Sequence, residues 1–358
     1  MPKDCGKCAG TARKVMKKMQ QGKQSIRFEN LPRILEAASV VGEKEGQGPL
    51  GEKFDEVEMD PMFGAEDWEG AESALQKRTA EKALEKTGLT RSQVRYLFAG
   101  DLLGQLIATS FGTVDLEIPV LGLYGACSTM GEAIGLAASF VDAGNADHTM
   151  ALASSHFASA EKQFRFPLEY GNQRPYSATW TVTGCGAVTL GTRGGMAVVS
   201  GMTPGKIVDM GHKDSMNMGA AMAPAAADTI LRNFLDFERR PEDYDQIITG
   251  DLGTIGKEIL IDFLRNKGYD ISDRHMDCGI AIFDAEKQDT HAGGSGCGCS
   301  AVTLCAEILP RIRTGEWKRV LFVPTGALLS STSYNEGKSI PGIAHGVVIE
   351  AVKDGREQ

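Results

Sequence analysis

Gly125-Ala126-Cys127-Ser128-Thr129 joins two apolar segments of the chain. The segment before it, residues 118–124, is a short apolar run of the kind that forms a buried β-strand. The segment after it, residues 130–141, is apolar nearly all round a helical wheel, which predicts a helix buried on every side. The sequence therefore predicts an α/β protein in which Cys127 stands at the head of a buried helix.

Further elements flank this junction. Helical spacing of apolar residues predicts a helix over residues 68–86 that ends at Gly88, and Thr90 with Gln93 has the pattern of a capping box. Short apolar runs predict strands at residues 96–99, 149–153 and 183–188. The polar residues 154–179 are typical of a loop.

The second half of the chain repeats landmarks of the first in the same order. The matching pairs are Gly100-Asp101-Leu102 with Gly250-Asp251-Leu252, Ala126-Cys127-Ser128 with Gly298-Cys299-Ser300, and residues 184–188 with 344–348. Neither copy could bury its apolar helix alone, so two packed copies of one unit are the simplest explanation. We predict halves at residues 24–198 and 199–352 and a tail at 353–358. The alternative is two α/β segments that are merely similar.

Residues 1–23 differ in composition from the rest, with seven Lys or Arg against a single acid, Asp4. We predict a basic N-terminal extension, which either lies on an anionic membrane or acidic partner or is simply solvated. Cys5 and Cys8 form a C-x-x-C without a second pair at metal-ligand spacing, so we predict no metal site there.

The overall composition excludes some classes of protein. The chain has 358 residues, a formal net charge of −9 and 42% hydrophobic residues, which argues against a nucleic-acid binder and for a large folded core. No run approaches the roughly 20 apolar residues of a membrane span, and no signal peptide is evident. Eight cysteines are then expected to stay reduced in the cytosol.

The chain resembles the thiolase-like superfamily and, within it, is similar to the stage V sporulation protein AD family over about residues 22–352. The resemblance is carried by residues 22–24, 43–51, 99–103, 125–129, 154–156, 163–165, 169–171 and 180–184. It implies two duplicated halves in a layered α/β/α/β/α fold, with a cysteine nucleophile where a strand meets a buried helix.

The same resemblance implies a function in a spore-forming bacterium. In that family, this subunit binds dipicolinic acid (pyridine-2,6-dicarboxylate), and separate membrane subunits of the same operon are thought to carry the acid into the spore. We therefore expect a homodimer without a cofactor, peripheral on the cytoplasmic side of the forespore or inner spore membrane. Whether calcium accompanies the acid stays open, as does a role as a scaffold for the membrane subunits.

Cys127 admits two kinds of chemistry. Free amides and the positive end of the dipole at a helix N-terminus lower the pKa of a thiol and also hold anions, so the position suits acyl transfer or carboxylate binding. A small buried residue at a tight junction is the structural alternative.

The basic partners that a condensing enzyme needs are changed in this sequence. By the resemblance, Gly250 or Asp251 replaces one histidine and Ser295 replaces the other. This favours binding over catalysis, because losing a positioned base costs about 10²- to 10⁴-fold in rate. His291 could partly substitute, so an acyl-thioester condensing enzyme that uses Cys127 is the alternative.

A planar dianion needs donors at both ends. We predict that the amides of Ser128 and Thr129 hold one carboxylate, and that Arg165 or Arg174 holds the other. His156, Asn172 and Gln173 are candidate neutral donors, and Trp180 is a candidate stacking face. For each of these, an ordinary role in a loop or on the surface is equally open.

Overall fold

The computed structural model of the chain describes residues 19–164 and 174–352. The remaining residues contain most of the predicted basic extension, with Cys5 and Cys8, and the predicted tail. They also contain three of the predicted ligand-binding residues, which are Arg165, Asn172 and Gln173.

The secondary structure alternates between strands and helices along most of the chain. The strands are β1 (Gln20–Gln21), β2 (Ser25–Arg27), β3 (Arg33–Gly42), β4 (Glu56–Glu58), β5 (Tyr96–Gly100), β6 (Val120–Gly122), β7 (His148–Ser155), β8 (Trp180–Thr181), β9 (Gly184–Gly191), β10 (Ala197–Thr203), β11 (Gln246–Thr249), β12 (His275–Asp277), β13 (Gly294–Ser295), β14 (Arg319–Val323), β15 (Thr325–Ala327), β16 (Gly342–Ala344) and β17 (Gly346–Ala351). The helices are α1 (Glu43–Gly46), α2 (Trp68–Thr87), α3 (Ile107–Thr113), α4 (Thr129–Asp142), α5 (Phe157–Phe164), α6 (Met218–Phe237), α7 (Gly253–Arg265), α8 (Cys278–Ile282), α9 (Cys297–Thr303), α10 (Leu309–Arg313) and α11 (Ser331–Asn335), with a π-helical stretch at Leu304–Ile308 between α9 and α10.

The sheet shows the predicted duplication directly. In the first half the strand order is β6-β5-β7-β9-β3, and in the second half it is β12-β11-β14-β17-β10. The first three strands of each set are parallel and the remaining pairs are antiparallel, so the two halves share one topology. Antiparallel pairing of β3 with β10, which sets Ile34 opposite Ala197, joins the two sets. The predicted boundary at residue 198 falls inside β10.

The helices form layers around the two sets of strands. Helix α4 packs on β5 and β7 of the first set and on β17 and β10 of the second, while α9 packs on β9 and β7. Helix α2 covers the outer face of the first set, and α6, with α7 packed on it, covers the second. The buried apolar residues form three clusters. One contains residues of the central helices α4 and α9, and the other two contain residues of the outer helices α2 and α6. The arrangement is the predicted α/β/α/β/α fold.

Local signals in the sequence correctly located α2. Asp67 caps its first turn by accepting a hydrogen bond from the amide of Gly70, and Gly88 ends it with a φ of 71°. The capping box of Thr90 and Gln93 is also present.

Two predicted elements differ from the structure. The predicted buried strand at residues 118–124 forms only β6, which lies at the edge of the sheet and leaves Val120 exposed. The predicted loop at residues 154–179 contains α5. This helix spans only eight residues, which is shorter than the roughly 11 to 18 residues over which a helical repeat of apolar residues is recognised, and its buried face also carries Ser159 and Glu161.

The last residues of the predicted basic extension belong to the folded body. The carboxylate of Asp236 on α6 accepts hydrogen bonds from the amides of Lys23, Gln24 and Ser25, each at 3.0 Å. Gly22 has a φ of 59°, and a Cβ there would lie 2.2 Å from Asp236 Oδ1. The hairpin of β1 and β2 is thus anchored to the second half, so the boundary predicted at residue 23 lies too far along the chain.

Candidate functional site

Cys127 lies in a sharp turn between β6 and α4. Ala126 has a φ of 47°, in the left-handed region that residues other than glycine rarely adopt. The carbonyl of Gly125 accepts hydrogen bonds from the amide and the hydroxyl of Ser128, at 3.0 and 2.6 Å. The carbonyl of Ala126 accepts from the amide and the hydroxyl of Thr129, at 3.2 and 2.7 Å. These bonds fix the position of the thiol at the head of α4.

The same hydrogen bonds correct one sequence prediction. Ser128 and Thr129 are fully buried, and both amides already donate to carbonyls of the turn. Neither amide is therefore available to hold a ligand carboxylate in this conformation. Backbone amides at the start of the helix donate to carbonyl groups of the turn, and these hydrogen bonds cannot be inferred from the residue types alone.

A small cavity lies beside Cys127. Its volume is about 20 Å³, which is room for about one water molecule. Both halves of the chain form its wall, which consists of Leu102, Tyr124, Ala126, Cys127, Glu161, Thr181, Met218, Ser295, Ala327 and Leu329. Leu102, Tyr124 and Leu329 also border a wider depression on the surface, so these three side chains form the mouth of the cavity.

Asp251 is the acidic neighbour of the cysteine. Its buried carboxyl group interacts with the thiol of Cys127, and it accepts hydrogen bonds from the amide of Gly296 at 3.0 Å and from the hydroxyl of Thr325 at 2.8 Å. Burial raises the pKa of Asp251 to about 7. Burial and the nearby charge of Asp251 raise the pKa of the Cys127 thiol well above its usual value. The sulfur is therefore a protonated thiol at neutral pH, which is a poor nucleophile.

Of the positions that the family resemblance matches to histidines, Ser295 lines the cavity, whereas Asp251 neighbours the sulfur of Cys127 without lining the cavity. Ser295 on β13 pairs with Thr181 on β8, and both residues line the wall. Of the two candidates for the other position, Asp251 contacts the sulfur, whereas a Cβ at Gly250 would lie 2.9 Å from the amide nitrogen of Thr325. Asp251 is thus the residue that stands in for a basic partner.

The duplication brings the two helix heads together. Cys297, the first residue of α9, donates a hydrogen bond from its thiol to the carbonyl of Ala126 at 3.0 Å. The amide of Gly298 donates to the hydroxyl of Ser155 at the end of β7, at 3.1 Å. The second half therefore packs its own helix N-terminus against the turn that carries Cys127.

Neither histidine predicted for the site borders the cavity wall described above. His156 Nε2 lies 2.8 Å from the carbonyl oxygen of Pro61, and burial lowers the pKa of His156. His291 Nδ1 lies 2.9 Å from the carbonyl oxygen of Pro175, and its Nε2 lies 3.1 Å from the carboxylate of Asp289. The predictions of a ligand donor at His156 and of a substitute base at His291 are therefore not supported by the geometry.

Trp180 and Arg174 form a separate cluster next to the cavity. The Trp180 ring stacks on Phe157 with centroids 4.1 Å apart, while Lys44 Nζ and Arg174 Cζ lie 4.2 and 5.0 Å from the Trp180 centroid. Trp180 precedes the wall residue Thr181 on the same strand, and neighbouring side chains of a strand face opposite sides. The predicted stacking face and cation are therefore close to the cavity but are not part of its wall.

Several wall residues were not predicted from the sequence. These are Leu102, Tyr124, Glu161, Thr181, Met218, Ala327 and Leu329. Glu161 accepts a hydrogen bond from the hydroxyl of Thr181 at 2.7 Å. Recognising α5 would have drawn attention to Glu161, because an acid buried on a helix needs a partner.

The comparisons with known proteins agree with this geometry. Residues 22–350 match the family described as Stage V sporulation protein AD (SpoVAD). The chain belongs to this family. It is 44% identical over 329 residues to stage V sporulation protein AD of Bacillus subtilis strain 168, an alignment that covers 92% of this chain and 97% of the relative.

Solved structures with the same fold are condensing enzymes. A 3-oxoacyl-[acyl-carrier-protein] synthase III from Aquifex aeolicus is 11% identical, with a TM-score of 0.53 and coverage of 89% of this chain and 99% of the enzyme. The tetronic acid condensing enzyme AbyA1 is 17% identical, with a TM-score of 0.57 and coverage of 89% and 99%. At these identities the similarity shows the thiolase-like fold alone. Across the described residues, no helix combines the length and apolar character needed to traverse a bilayer.

Proposed function

We propose that this chain binds dipicolinic acid without catalysing a reaction, as a subunit of the machinery that moves the acid into the developing spore. One observation carries the proposal. In a chain that belongs to a sporulation family, the cysteine at the strand–helix junction is buried and protonated, and its ionisable neighbour is the carboxyl group of Asp251. That arrangement retains the site of a condensing enzyme but lacks its basic partners.

The electrostatics of the site argue against condensation. A thiolate is the reactive form of cysteine, and a neighbouring carboxylate disfavours it. None of the residues that line the described cavity is a histidine, and Ser295 supplies no base at neutral pH. We therefore expect any condensation to be slower by orders of magnitude than in an enzyme with two positioned bases.

A dicarboxylate can enter this region only if the site adapts. The cavity of about 20 Å³ is too small for an aromatic acid, so the side chains at its mouth and the flexible Met218 must move. An approaching anion also favours the protonated form of Asp251. Because the pKa of Asp251 is about 7, its protonation at neutral pH costs little free energy. Protonated Asp251 can then donate a hydrogen bond to the ligand.

Calorimetric titration of the purified chain with pyridine-2,6-dicarboxylate tests the proposal. We expect saturable heat with one site per chain, and none with pyridine, which lacks both carboxylates. Cys127→Ser keeps a small donor and should bind within about threefold of the parent chain, since the sulfur performs no chemistry. Absence of heat at millimolar dicarboxylate would refute the proposal.

An acyl-thioester condensing enzyme is the second candidate, because Cys127 occupies the strand–helix junction of a thiolase-like fold. Incubation with an acyl-coenzyme A followed by intact mass measurement decides between the two candidates. The binding proposal predicts an unchanged mass. A stable acyl adduct that disappears in Cys127→Ser would establish the enzyme instead.

The proposed partners are a second copy of the chain and the membrane subunits of the transport machinery. Support for the second copy comes from β6, which lies at an edge of the described sheet and has an exposed Val120. Phe111, Val114 and Tyr124, which are near β6 in the sequence, are exposed as well. The family resemblance supports the membrane subunits, a peripheral location on the cytoplasmic side of the spore membrane, and the transport of dipicolinic acid, with or without calcium.

A further inference from the structure

The loop after α8 is held in an unusual conformation beside Arg174. Asp289 and His291 both have a φ of 52°, so two residues other than glycine lie in the left-handed region within three positions. Thr290 between them is fully buried, and its hydroxyl has no hydrogen-bond partner within the part of the chain that the structure describes. Backbone strain with an unsatisfied hydroxyl indicates that more than packing determines this loop.

Arg174 is buried beside this loop with most of its donors unused. Its side chain is 4% exposed, and its Nη2 donates to the carbonyl and the carboxylate of Asp289, at 2.9 and 2.8 Å. Over residues 19–164 and 174–352, Nε and Nη1 have no hydrogen-bond partner, although both atoms are buried. A guanidinium normally uses such donors in pairs on a carboxylate. Among the described residues, the carboxylate paired with Arg174 is that of Asp289, which is 76% exposed and contacts only Nη2.

A second cation shares the same aromatic ring. Lys44 Nζ lies over Trp180, as does the Arg174 guanidinium, and it donates a hydrogen bond to the carbonyl of Gln288 at 2.7 Å. Burial lowers the pKa of Lys44, the charge of Glu45 raises it, the charge of Arg174 lowers it, and the charge of Asp289 raises it. Two cations beside one partly buried ring favour the binding of an anion, and the exposed Asp289 is the acid that an incoming anion would replace.

We propose that Arg174 and Lys44 form a carboxylate-binding site over Trp180, where the ligand displaces the exposed carboxylate of Asp289. Displacement of Asp289 frees Nη2, and the incoming oxygen atoms pair with Nη2 and the unused Nε, the two donors that face the same side of the guanidinium. This site adjoins the cysteine cavity through Trp180 and Thr181, which are consecutive on β8. The inference rests on the proposed function, because dipicolinate is the ligand whose carboxylate is assigned here.

Titration of three variants with pyridine-2,6-dicarboxylate tests the assignment. Arg174→Gln should weaken binding at least 10-fold, since it removes the charge and the fork of donors. Asp289→Asn should tighten binding several-fold, because it removes the competing charge and asparagine tolerates the left-handed backbone. The matched control is Arg311→Gln, at an arginine that also lies over a tryptophan, Trp317, but is paired with Glu307 and Glu316. This control should bind like the parent chain.

The outcomes separate the two proposals. The parent chain could bind the dicarboxylate while Arg174→Gln and Asp289→Asn bind it with the same affinity as Arg311→Gln. That result would refute the carboxylate site and leave the proposed function standing. If the parent chain does not bind the dicarboxylate, both proposals fail together. If Arg174→Gln does not fold, as judged by circular dichroism, the affinity of Asp289→Asn decides. Tighter binding than that of the parent chain supports the carboxylate site, and equal or weaker binding refutes it.

Discussion

At the scale of single residues, the behaviour of Cys127 depends on Asp251. The negative charge of Asp251 beside the sulfur disfavours the thiolate and so raises the pKa of the thiol, in addition to burial. We predict that iodoacetamide alkylates Cys127 at pH 8 at least about 10-fold more slowly than a free peptide thiol, since each unit of raised pKa lowers the thiolate fraction tenfold. Mass spectrometry of the Cys127 peptide over time measures the rate.

Asp251→Asn provides the internal check on this prediction. Removing the negative charge should raise the alkylation rate of Cys127, while the hydrogen bonds from Gly296 and Thr325 can still reach the amide oxygen. If the parent chain were alkylated as fast as a free peptide thiol, the pKa of Cys127 would not be raised. If Asp251→Asn did not change the rate, the charge of Asp251 would not be what keeps the thiol protonated.

The sequence located some site residues but not their contacts. Motif resemblance pointed to Asp251 and Ser295, and the structure places Asp251 beside the sulfur of Cys127 and Ser295 in the cavity wall that Cys127 also lines. It could not show that the amides of Ser128 and Thr129 serve the turn itself, because those hydrogen bonds depend on the left-handed Ala126. Nor could it show that His156 faces Pro61, since the fold alone decides which way that ring points.

At the scale of secondary-structure elements, β6 forms one edge of the sheet in the described part of the chain, and β12 forms the other. An unpaired apolar edge strand is a template for pairing with another chain. We predict that the protein is a dimer in light scattering and that Val120→Lys shifts it toward the monomer, because a charge would be buried between the copies. Ile207→Lys, at another exposed apolar residue, is the matched control and should leave the mass unchanged. The prediction would be contradicted if the parent chain had the mass of a monomer, or if Val120→Lys had the same dimeric mass as the parent chain.

Elements with local signals were predictable and those without were not. Helix α2 carries its own caps at Asp67 and Gly88, so its bounds follow from the sequence. Helix α5 spans only eight residues and buries Glu161 against Thr181, so its apolar repeat is too short to recognise and it was mistaken for a loop. The short β6 was overestimated because an apolar run does not reveal whether a strand is central or at an edge.

At the scale of the whole molecule, several buried acids share one consequence. Burial raises the pKa of Glu45 to about 7, of Glu72 to about 8 and of Asp251 to about 7. In the unfolded chain such acids ionise near pH 4, so between about pH 4 and 8 the folded state binds more protons than the unfolded state. Stability attributable to these groups therefore falls as pH rises through this window.

We predict that the melting temperature, measured by scanning calorimetry, falls between about pH 6.5 and 8.5. Each unit by which burial raises a pKa corresponds to about 1.4 kcal/mol when the group must ionise. Asp251→Asn should reduce the slope, because an amide does not titrate. A melting temperature that rises over this range would contradict the assignment of these raised pKa values.

The duplication was predictable because it leaves paired landmarks in the sequence, but the way the copies join was not. Pairing of β3 with β10 and the contact of Cys297 with Ala126 link residues far apart in the chain. Such contacts depend on how two complete layers fit together. The local pattern therefore predicted two units, and the site between them became apparent only in the assembled fold.

The central claim is that this thiolase-like site binds a dicarboxylate and leaves its cysteine chemically unused. A crystal structure of the chain soaked with pyridine-2,6-dicarboxylate tests it most directly. The account predicts one bound ligand per chain, a carboxylate paired with the Arg174 guanidinium, and an unmodified sulfur on Cys127. A ligand bonded covalently to that sulfur, or no ligand at a concentration well above saturation, would contradict it.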